Sequence, residues 1–198
     1  MIKKPNTKQL IADSIMQLML TKSIDDISIQ EIADNCGISR QTFYNHFPDK
    51  YTLVDWIYET EAIDFINLLG KDCTWYDAVL YKLNIIKLNP GFYRRVYRQE
   101  WFIKSFTDVT RRLYINAISK NVHGEMTKQL KFMIDFYVNA CVKKTSDWVL
   151  NGLKETPEEL VAYFLSCLPD ELKKYLINNE DIKEVKNSIL KQTNNNQQ

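Results

Sequence analysis

Apolar residues recur every three or four positions along most of the chain, and no segment alternates as a half-buried strand would. The spacing is clear over residues 7–19 and again over residues 126–150. A repeat of this kind places apolar side chains on one face of a helix. The few glycines and prolines lie between these segments and divide the chain into helix-length pieces. The pattern therefore predicts an all-α fold.

Two sequence signals mark helix starts. Ser28 is followed three residues later by Glu31, and Thr156 is followed in the same way by Glu159. This spacing is typical of a capping box, in which the two side chains bond each other's backbone N–H groups. Pro157 then occupies the first helical position, where a missing N–H costs nothing. We expect a helix to begin at each site.

The pattern divides the chain into parts of different length. Residues 1–50 predict three short helices, and residues 51–70 predict a longer connecting helix. Residues 71–190 predict a larger helical body. The tail, residues 191–198, has almost no apolar side chain to bury, so we expect it to be disordered.

Composition narrows the function classes. The chain has 198 residues and a net charge of +1, and it contains neither a long apolar run nor a secretory signal. We therefore expect a cytoplasmic protein with no membrane partner. Four scattered cysteines suit a reducing compartment and give no metal or redox spacing: Cys36, Cys73, Cys141 and Cys167.

Catalytic and metal-binding constellations are missing from the sequence. The two histidines, His46 and His123, lie in different parts of the chain and make a metal site improbable. No nucleophile–base pair, carboxylate pair or phosphate loop stands out. We expect neither an enzyme nor a cofactor.

Residues 28–47 have the pattern of a helix-turn-helix. The small Ala33 lies where a following helix would cross closely, and Gly37 can adopt the positive φ of a tight turn. Ser39 is a suitable N-cap for the next helix. Phe43 and Phe47, four residues apart, should face the core.

The outward face of this next helix carries donors, acceptors and a phenol: Arg40, Gln41, Tyr44 and Asn45. Arginine suits guanine edges, and glutamine or asparagine suits adenine edges. We therefore predict that the helix enters the major groove of double-stranded DNA.

Charge in this region is not uniformly positive. Residues 1–55 contain six basic and seven acidic side chains. Binding to phosphates would then depend on the local placement of a few cations, namely Lys3, Lys4, Lys8, Arg40 and Lys50.

The stretch "SIQEIADNCGISRQTFYNHFPDKYTLV" resembles the DNA-binding signature of the tetracycline-repressor (TetR) family, and the likeness covers about residues 7–55. It implies a homodimeric transcription regulator that binds an inverted-repeat operator. By the resemblance, Lys50 matches the phosphate-contacting lysine. His46 is either a phosphate contact or a structural residue. The positions expected at the DNA are Ser28, Ser39, Arg40, Gln41, Thr42, Tyr44, Asn45, His46 and Lys50.

TetR-like bodies enclose an effector pocket and dimerise through two helices. Aromatic residues are candidates for the pocket, although such a stripe is more often core: Tyr93, Tyr97, Trp101, Phe136 and Tyr137. Segments 126–150 and 157–168 are similar to the family's dimerisation pair. One apolar stripe looks too wide for a single internal contact: Leu160, Val161, Phe164, Leu165 and Leu168.

The aromatic segment 92–106 and the spacing of Trp148 and Gly152 also resemble a subgroup that controls dihydroxyacetone kinase operons. Members of that subgroup are activators that respond through a protein partner. Two alternatives follow for the effector, a small molecule or another protein. In the second case the body would dock a protein and the head would only localise it on DNA.

Overall fold

The computed structural model describes residues 6–66, 74–122 and 124–177, and all regular structure in these ranges is helical. The all-α prediction is confirmed. Ten helices follow in chain order within the described residues: α1 (Thr7–Leu18), α2 (Ile29–Asn35), α3 (Arg40–Tyr44), α4 (Lys50–Ile66), α5 (Trp75–Leu88), α6 (Pro90–Val96), α7 (Glu100–Ser119), α8 (Lys128–Leu150), α9 (Pro157–Cys167) and α10 (Asp170–Leu176). None of these helices has the length and hydropathy needed to cross a membrane. Expectations about Lys3, Lys4, Cys73, His123 and the tail concern residues outside these ranges.

Both predicted capping boxes are present. At α2 the Ser28 hydroxyl accepts from the Glu31 N–H, and the Glu31 carboxylate accepts from the Ser28 N–H. Thr156 and Glu159 make the same exchange at the start of α9. A third box at α5 pairs Thr74 with an aspartate, Asp77. The sequence pattern did not predict this box, because the third position usually carries glutamate or glutamine.

Helices α1 to α3 and the first turns of α4 pack as a small unit, which we call the head. Apolar side chains from all four helices are buried at its centre: Ile11, Ile15, Ile32, Phe43, Phe47 and Leu53. Between α2 and α3, Gly37 has a φ of 70°, in the left-handed region that glycine adopts most easily. The turn places α3 across α2 with one face free of other helices.

The remaining helices form a second unit, which we call the body. Helices α7 and α8 pack along each other, and α9 packs on α5. Helix α4 leaves the head and packs on both α5 and α7. Its Tyr58 ring lies edge-on to Phe106 at 4.6 Å between centroids. The two units are therefore joined by one continuous helix.

The stripe predicted for dimerisation is buried within a single chain, so it already has the internal contact that its width was taken to exceed. All five residues are buried: Leu160, Val161, Phe164, Leu165 and Leu168. They are covered because α9 lies against α5, and because Tyr137 of α8 donates a hydrogen bond to the Phe164 carbonyl at 2.8 Å. Other rings of α8 and α9 remain outside, with Phe132 68% exposed, Phe136 69% and Tyr163 51%.

Candidate nucleic-acid interface and internal cavity

Helix α3 is held at its first residue and along its inner face. The Ser39 hydroxyl accepts from the Thr42 N–H at 3.0 Å and lies 2.9 Å from the Thr42 hydroxyl. On the inner face the Phe43 ring is fully buried. These two contacts orient the helix, and its exposed residues include those predicted: Arg40, Gln41, Tyr44 and Asn45.

The exposed side chains of α3 form two pairs four residues apart. Arg40 Nη2 donates to Tyr44 Oη at 3.2 Å, and the guanidinium lies 5.6 Å from the ring centre. Gln41 Nε2 donates to Asn45 Oδ1 at 3.3 Å. Each pair orders its side chains while leaving further donors and acceptors free. The face is thus prepared for hydrogen bonding to base edges.

Lys50 has a structural role that sequence reasoning did not foresee. Its ammonium donates to the carbonyl oxygens of Asp25 at 3.0 Å and Ile27 at 2.8 Å. The neighbouring Tyr51 hydroxyl donates to the Asp25 carboxylate at 2.9 Å. The first turn of α4 therefore holds the segment that precedes α2. One of the three ammonium N–H groups remains for another acceptor, such as a phosphate.

Other predicted DNA-contacting residues surround α3. Ser28 is exposed at the start of α2, where its hydroxyl also donates to the Glu31 carboxylate at 2.9 Å. His46 is half-buried after α3. The Lys8 ammonium lies over the Phe47 and Trp56 rings, 5.5 and 5.6 Å from their centres. Their contacts with DNA remain predictions.

The five residues expected at an effector pocket do not come together around one cavity. Tyr93, Tyr97 and Tyr137 are buried in side-chain packing, and Trp101 is half-buried with its ring 5.1 Å from that of Tyr51. Phe136 is exposed, because adjacent residues on a helix point in different directions and Tyr137 faces the core. A role for these residues in effector binding remains a prediction.

A cavity of about 130 Å³ lies elsewhere in the body, between α4, α5 and α7, with further lining residues from α8, α9 and α10. Its wall is mainly aromatic and aliphatic, with Tyr58, Trp75, Leu83, Phe106, Tyr114 and Val142 among the lining residues. Sequence reasoning missed it because the lining comes from six helices. One signal was available: Lys82 falls on the same α5 stripe as Ala78 and Ile86, where a charge is out of place.

Two charged side chains line this cavity as a pair. Lys82 donates to Glu61 Oε2, and the two side chains are only 16% and 19% exposed. The Tyr93 hydroxyl, behind the wall, also donates to Glu61 Oε2, and the Lys82 ammonium lies 4.1 Å from the centre of the Tyr58 ring. Burial lowers the pKa of Lys82, and the nearby Glu61 carboxylate opposes that shift. Burial and then Glu61 raise the pKa of Tyr93, so its hydroxyl stays protonated and can donate.

Two family models match the chain. Residues 11–57 match the family described as bacterial regulatory proteins, tetR family. Residues 73–170 match the transcriptional regulator C-terminal region of the same family. Together the matches include the head from residue 11, α4 as far as residue 57, and the body from residue 73 to the start of α10.

Individual relatives agree with the family models. The dhaKLM operon transcriptional activator DhaS of Lactococcus lactis is 22% identical over 172 residues, covering 84% of this chain and 91% of that protein. A solved structure of the dihydroxyacetone kinase operon activator DhaS superposes with a TM-score of 0.65 at 24% identity, over 86% of this chain and 98% of that one.

A TetR regulator from Streptococcus agalactiae superposes with a TM-score of 0.61 at 18% identity, over 82% of this chain and 93% of that one. The likeness of the body to the dihydroxyacetone kinase operon regulators is thereby confirmed. The capped α3 and its exposed polar face agree with the family matches over both units. The chain therefore belongs to the TetR family and is a transcriptional regulator with a DNA-binding helix-turn-helix domain.

Proposed function

We propose that the protein binds an inverted-repeat operator as a homodimer and that an effector bound in the body switches this binding. The observation that carries the DNA half is the exposed face of α3, where Arg40, Gln41, Tyr44 and Asn45 are ordered above the buried Phe43. The helix-turn-helix region, about residues 1–50, would read DNA in the cytoplasm. The body, within residues 71–190, would sense and dimerise.

The exposed rings of α8 and α9 support the homodimer. Phe132 and Phe136 stack with ring centres 6.4 Å apart and point away from their own chain. Tyr163 is exposed on α9. Large exposed apolar side chains that lie together mark interaction surfaces. A two-fold contact through this face would cover the rings of both chains and space two heads along one duplex.

The connection between cavity and head supports the switch. Helix α4 carries Tyr58 and Glu61 at the cavity, and Lys50 and Tyr51 at the head. A ligand that favours one position of α4 would thereby favour one position of the head.

Helix α6 provides a second connection. Its Tyr93 bonds Glu61, and its Arg95 donates to the Leu20 carbonyl in the head at 2.9 Å. A Cβ added at Gly91 would lie 3.0 Å from a Leu20 methyl, so helix and head touch closely there.

Of the two kinds of effector, a small molecule is favoured over a protein partner. The cavity is lined by mainly aromatic and aliphatic side chains from six helices, which suits a small ligand held between them. A protein partner would need an outer surface. Purified protein whose operator affinity changes only when a second protein is added would favour the partner instead.

The test of DNA binding is selection of bound duplexes from a random pool, followed by affinity measurements on the enriched site. We expect an inverted repeat. Because an arginine–guanine contact contributes about 1–3 kcal/mol, Arg40→Ala should weaken binding by that amount and relax one base position in each half-site.

Arg94→Ala is the matched control, since Arg94 is an exposed arginine of α6. We expect it to bind the selected site as the unaltered protein does. A pool with no enriched repeat, or an Arg40→Ala variant with unchanged affinity and preference, would contradict the proposal.

A further inference from the structure

The chemistry of the cavity points to one class of ligand. We propose that it takes a small, neutral molecule of about one aromatic ring bearing a hydroxyl group, and that this hydroxyl bonds the Glu61–Lys82 pair. This proposal rests on the proposed function in one respect only, which is that the bound molecule acts as the effector. Binding itself depends on the cavity alone.

The size of the cavity limits the ligand. At about 130 Å³ it is comparable to apolar protein cavities of about 150 Å³ that accept benzene. Flat aromatic walls at Tyr58, Trp75, Phe106 and Tyr114 favour a planar ring, which gains from offset and edge-on contacts. A ligand of one ring with one or two small substituents fits these limits.

The charges of the cavity exclude a charged ligand. Lys82 and Glu61 neutralise each other, so the lining of the cavity carries no net charge. A carboxylate would compete with Glu61 for Lys82 and leave one anion unpaired, whereas an ammonium would face Lys82. An unpaired charge in a poorly solvated site costs several kcal/mol. A neutral group avoids this cost.

The hydrogen-bonding capacity of the pair selects a hydroxyl. Both bonds to Glu61 end on Oε2, and among the described residues no side chain donates to Oε1. A ligand hydroxyl can donate to Oε1 and accept from Lys82.

Other polar groups of the wall are already paired within the chain. Trp75 Nε1 donates to the Tyr114 hydroxyl at 3.0 Å, and the Thr145 hydroxyl donates to the Cys141 carbonyl at 2.9 Å. The ion pair is thus the part of the wall best placed to orient a polar ligand.

The first experiment titrates the full-length protein with four ring compounds of similar size by calorimetry: phenol, toluene, benzoate and benzylamine. A hydrogen bond to a charged group supplies about tenfold or more in affinity, so phenol should bind at least about tenfold more tightly than toluene. Benzoate and benzylamine should bind more weakly than phenol. Equal binding of phenol and toluene, or tighter binding of either charged compound, overturns the proposal.

Variants then locate the site. The double substitution Glu61→Gln with Lys82→Met removes both charges together and should reduce the preference for phenol over toluene to near equality. Ala78→Leu adds a side chain to the wall and should abolish binding of both compounds. Ala162→Leu, at a buried alanine outside the lining, should leave both affinities unchanged. Phenol binding that survives Ala78→Leu in a folded protein overturns the assignment; if the variants fail to fold, the four-compound series on the unaltered protein decides.

Operator affinity is measured separately, by anisotropy of a labelled duplex with and without phenol. If phenol binds and operator affinity does not change, the switching half of the proposed function fails while the ligand class stands. If the operator is bound and none of the four compounds binds, the ligand class fails while the DNA-binding half stands.

Discussion

Two tyrosines one turn apart on α6 are both buried, but their hydroxyl groups differ in their surroundings. The Tyr93 hydroxyl donates to Glu61 and accepts from Lys82 at 3.2 Å. The Tyr97 hydroxyl is buried and has no hydrogen-bond partner within the described residues. A buried hydroxyl without a partner reduces stability, whereas a paired one does not. The two positions therefore form a matched pair for one substitution.

We predict opposite results for phenylalanine at these positions. Tyr93→Phe should lower the free energy of unfolding by about 1–3 kcal/mol, because it leaves Glu61 and Lys82 with one bond fewer each. Tyr97→Phe should leave it unchanged or raise it by up to about 1 kcal/mol, because it removes only an unpaired group. Urea unfolding of the two variants gives the comparison. A larger loss in Tyr97→Phe than in Tyr93→Phe would contradict it.

At the scale of single residues, local spacing predicted correctly which side chains are buried or exposed. It did not predict which distant residues they bond. It predicted the buried Phe43 and the exposed Arg40, because both follow from position on one short helix. It did not predict that Lys50 binds the Asp25 and Ile27 carbonyls, because those partners lie more than twenty residues away in sequence.

Among the helices, α2 depends most visibly on side chains at its first turn. Glu31 closes the capping box with Ser28 and also pairs with Lys22. The Lys22 hydrogen bond, followed by those from Ser28, lowers the pKa of Glu31 from 4.5 to about 2. The folded head therefore favours the ionised carboxylate more than the unfolded chain does.

This shift predicts acid sensitivity with a defined sign. Because the folded pKa is lowered, the contribution of Glu31 is fully present above pH 4.5 and is lost as pH falls towards about 2. Glu31→Gln should be less stable than the unaltered protein at neutral pH and should lose less stability over this window. Glu158→Gln, at an exposed first-turn glutamate of α9, is the control and should retain the full acid dependence. Urea midpoints from neutral pH to about pH 2.5 test the prediction.

Helix α9 shows where the reasoning about elements failed. Its wide apolar stripe was predicted to need a second chain, but two neighbours in the same chain, α5 and Tyr137 of α8, already cover it. A stripe reports how much of a helix is buried. It does not report whether the covering surface belongs to the same molecule.

For the whole molecule, the proposed homodimer rests on the exposed rings of Phe132 and Phe136. Phe136→Asp should prevent dimer formation, because a charge would enter the contact twice across the two-fold axis. A central aromatic residue contributes about 2 kcal/mol or more to an interface, so two copies should weaken the dimer at least about a thousandfold. Analytical ultracentrifugation should then show a folded monomer.

Leu88→Asp is the matched control for this prediction. Leu88 is also a large exposed apolar residue, but it is the last residue of α5 and belongs to neither α8 nor α9. We expect its variant to remain dimeric. An unaltered protein that sediments as a monomer at micromolar concentration would rule out the proposed assembly.

The sequence by itself determined the helical fold, the starts of α2 and α9, the turn at Gly37 and the outward face of α3. These features depend on residues within about one or two helical turns, so spacing, capping and backbone preference specify them. The TetR signature could be recognised from the sequence for a similar reason, because its residues lie in one continuous segment.

The tertiary structure alone decided which apolar faces meet, where the cavity lies and which rings stay exposed. The cavity joins Glu61 of α4 to Lys82 of α5 and is lined by side chains from six helices. Such a site depends on how helices distant in sequence pack, and a periodic pattern records the burial of a face but not its partner. For that reason the residues predicted for the pocket do not line this cavity and the predicted dimer stripe is buried in its own chain, while the face predicted for DNA is the one that the structure exposes.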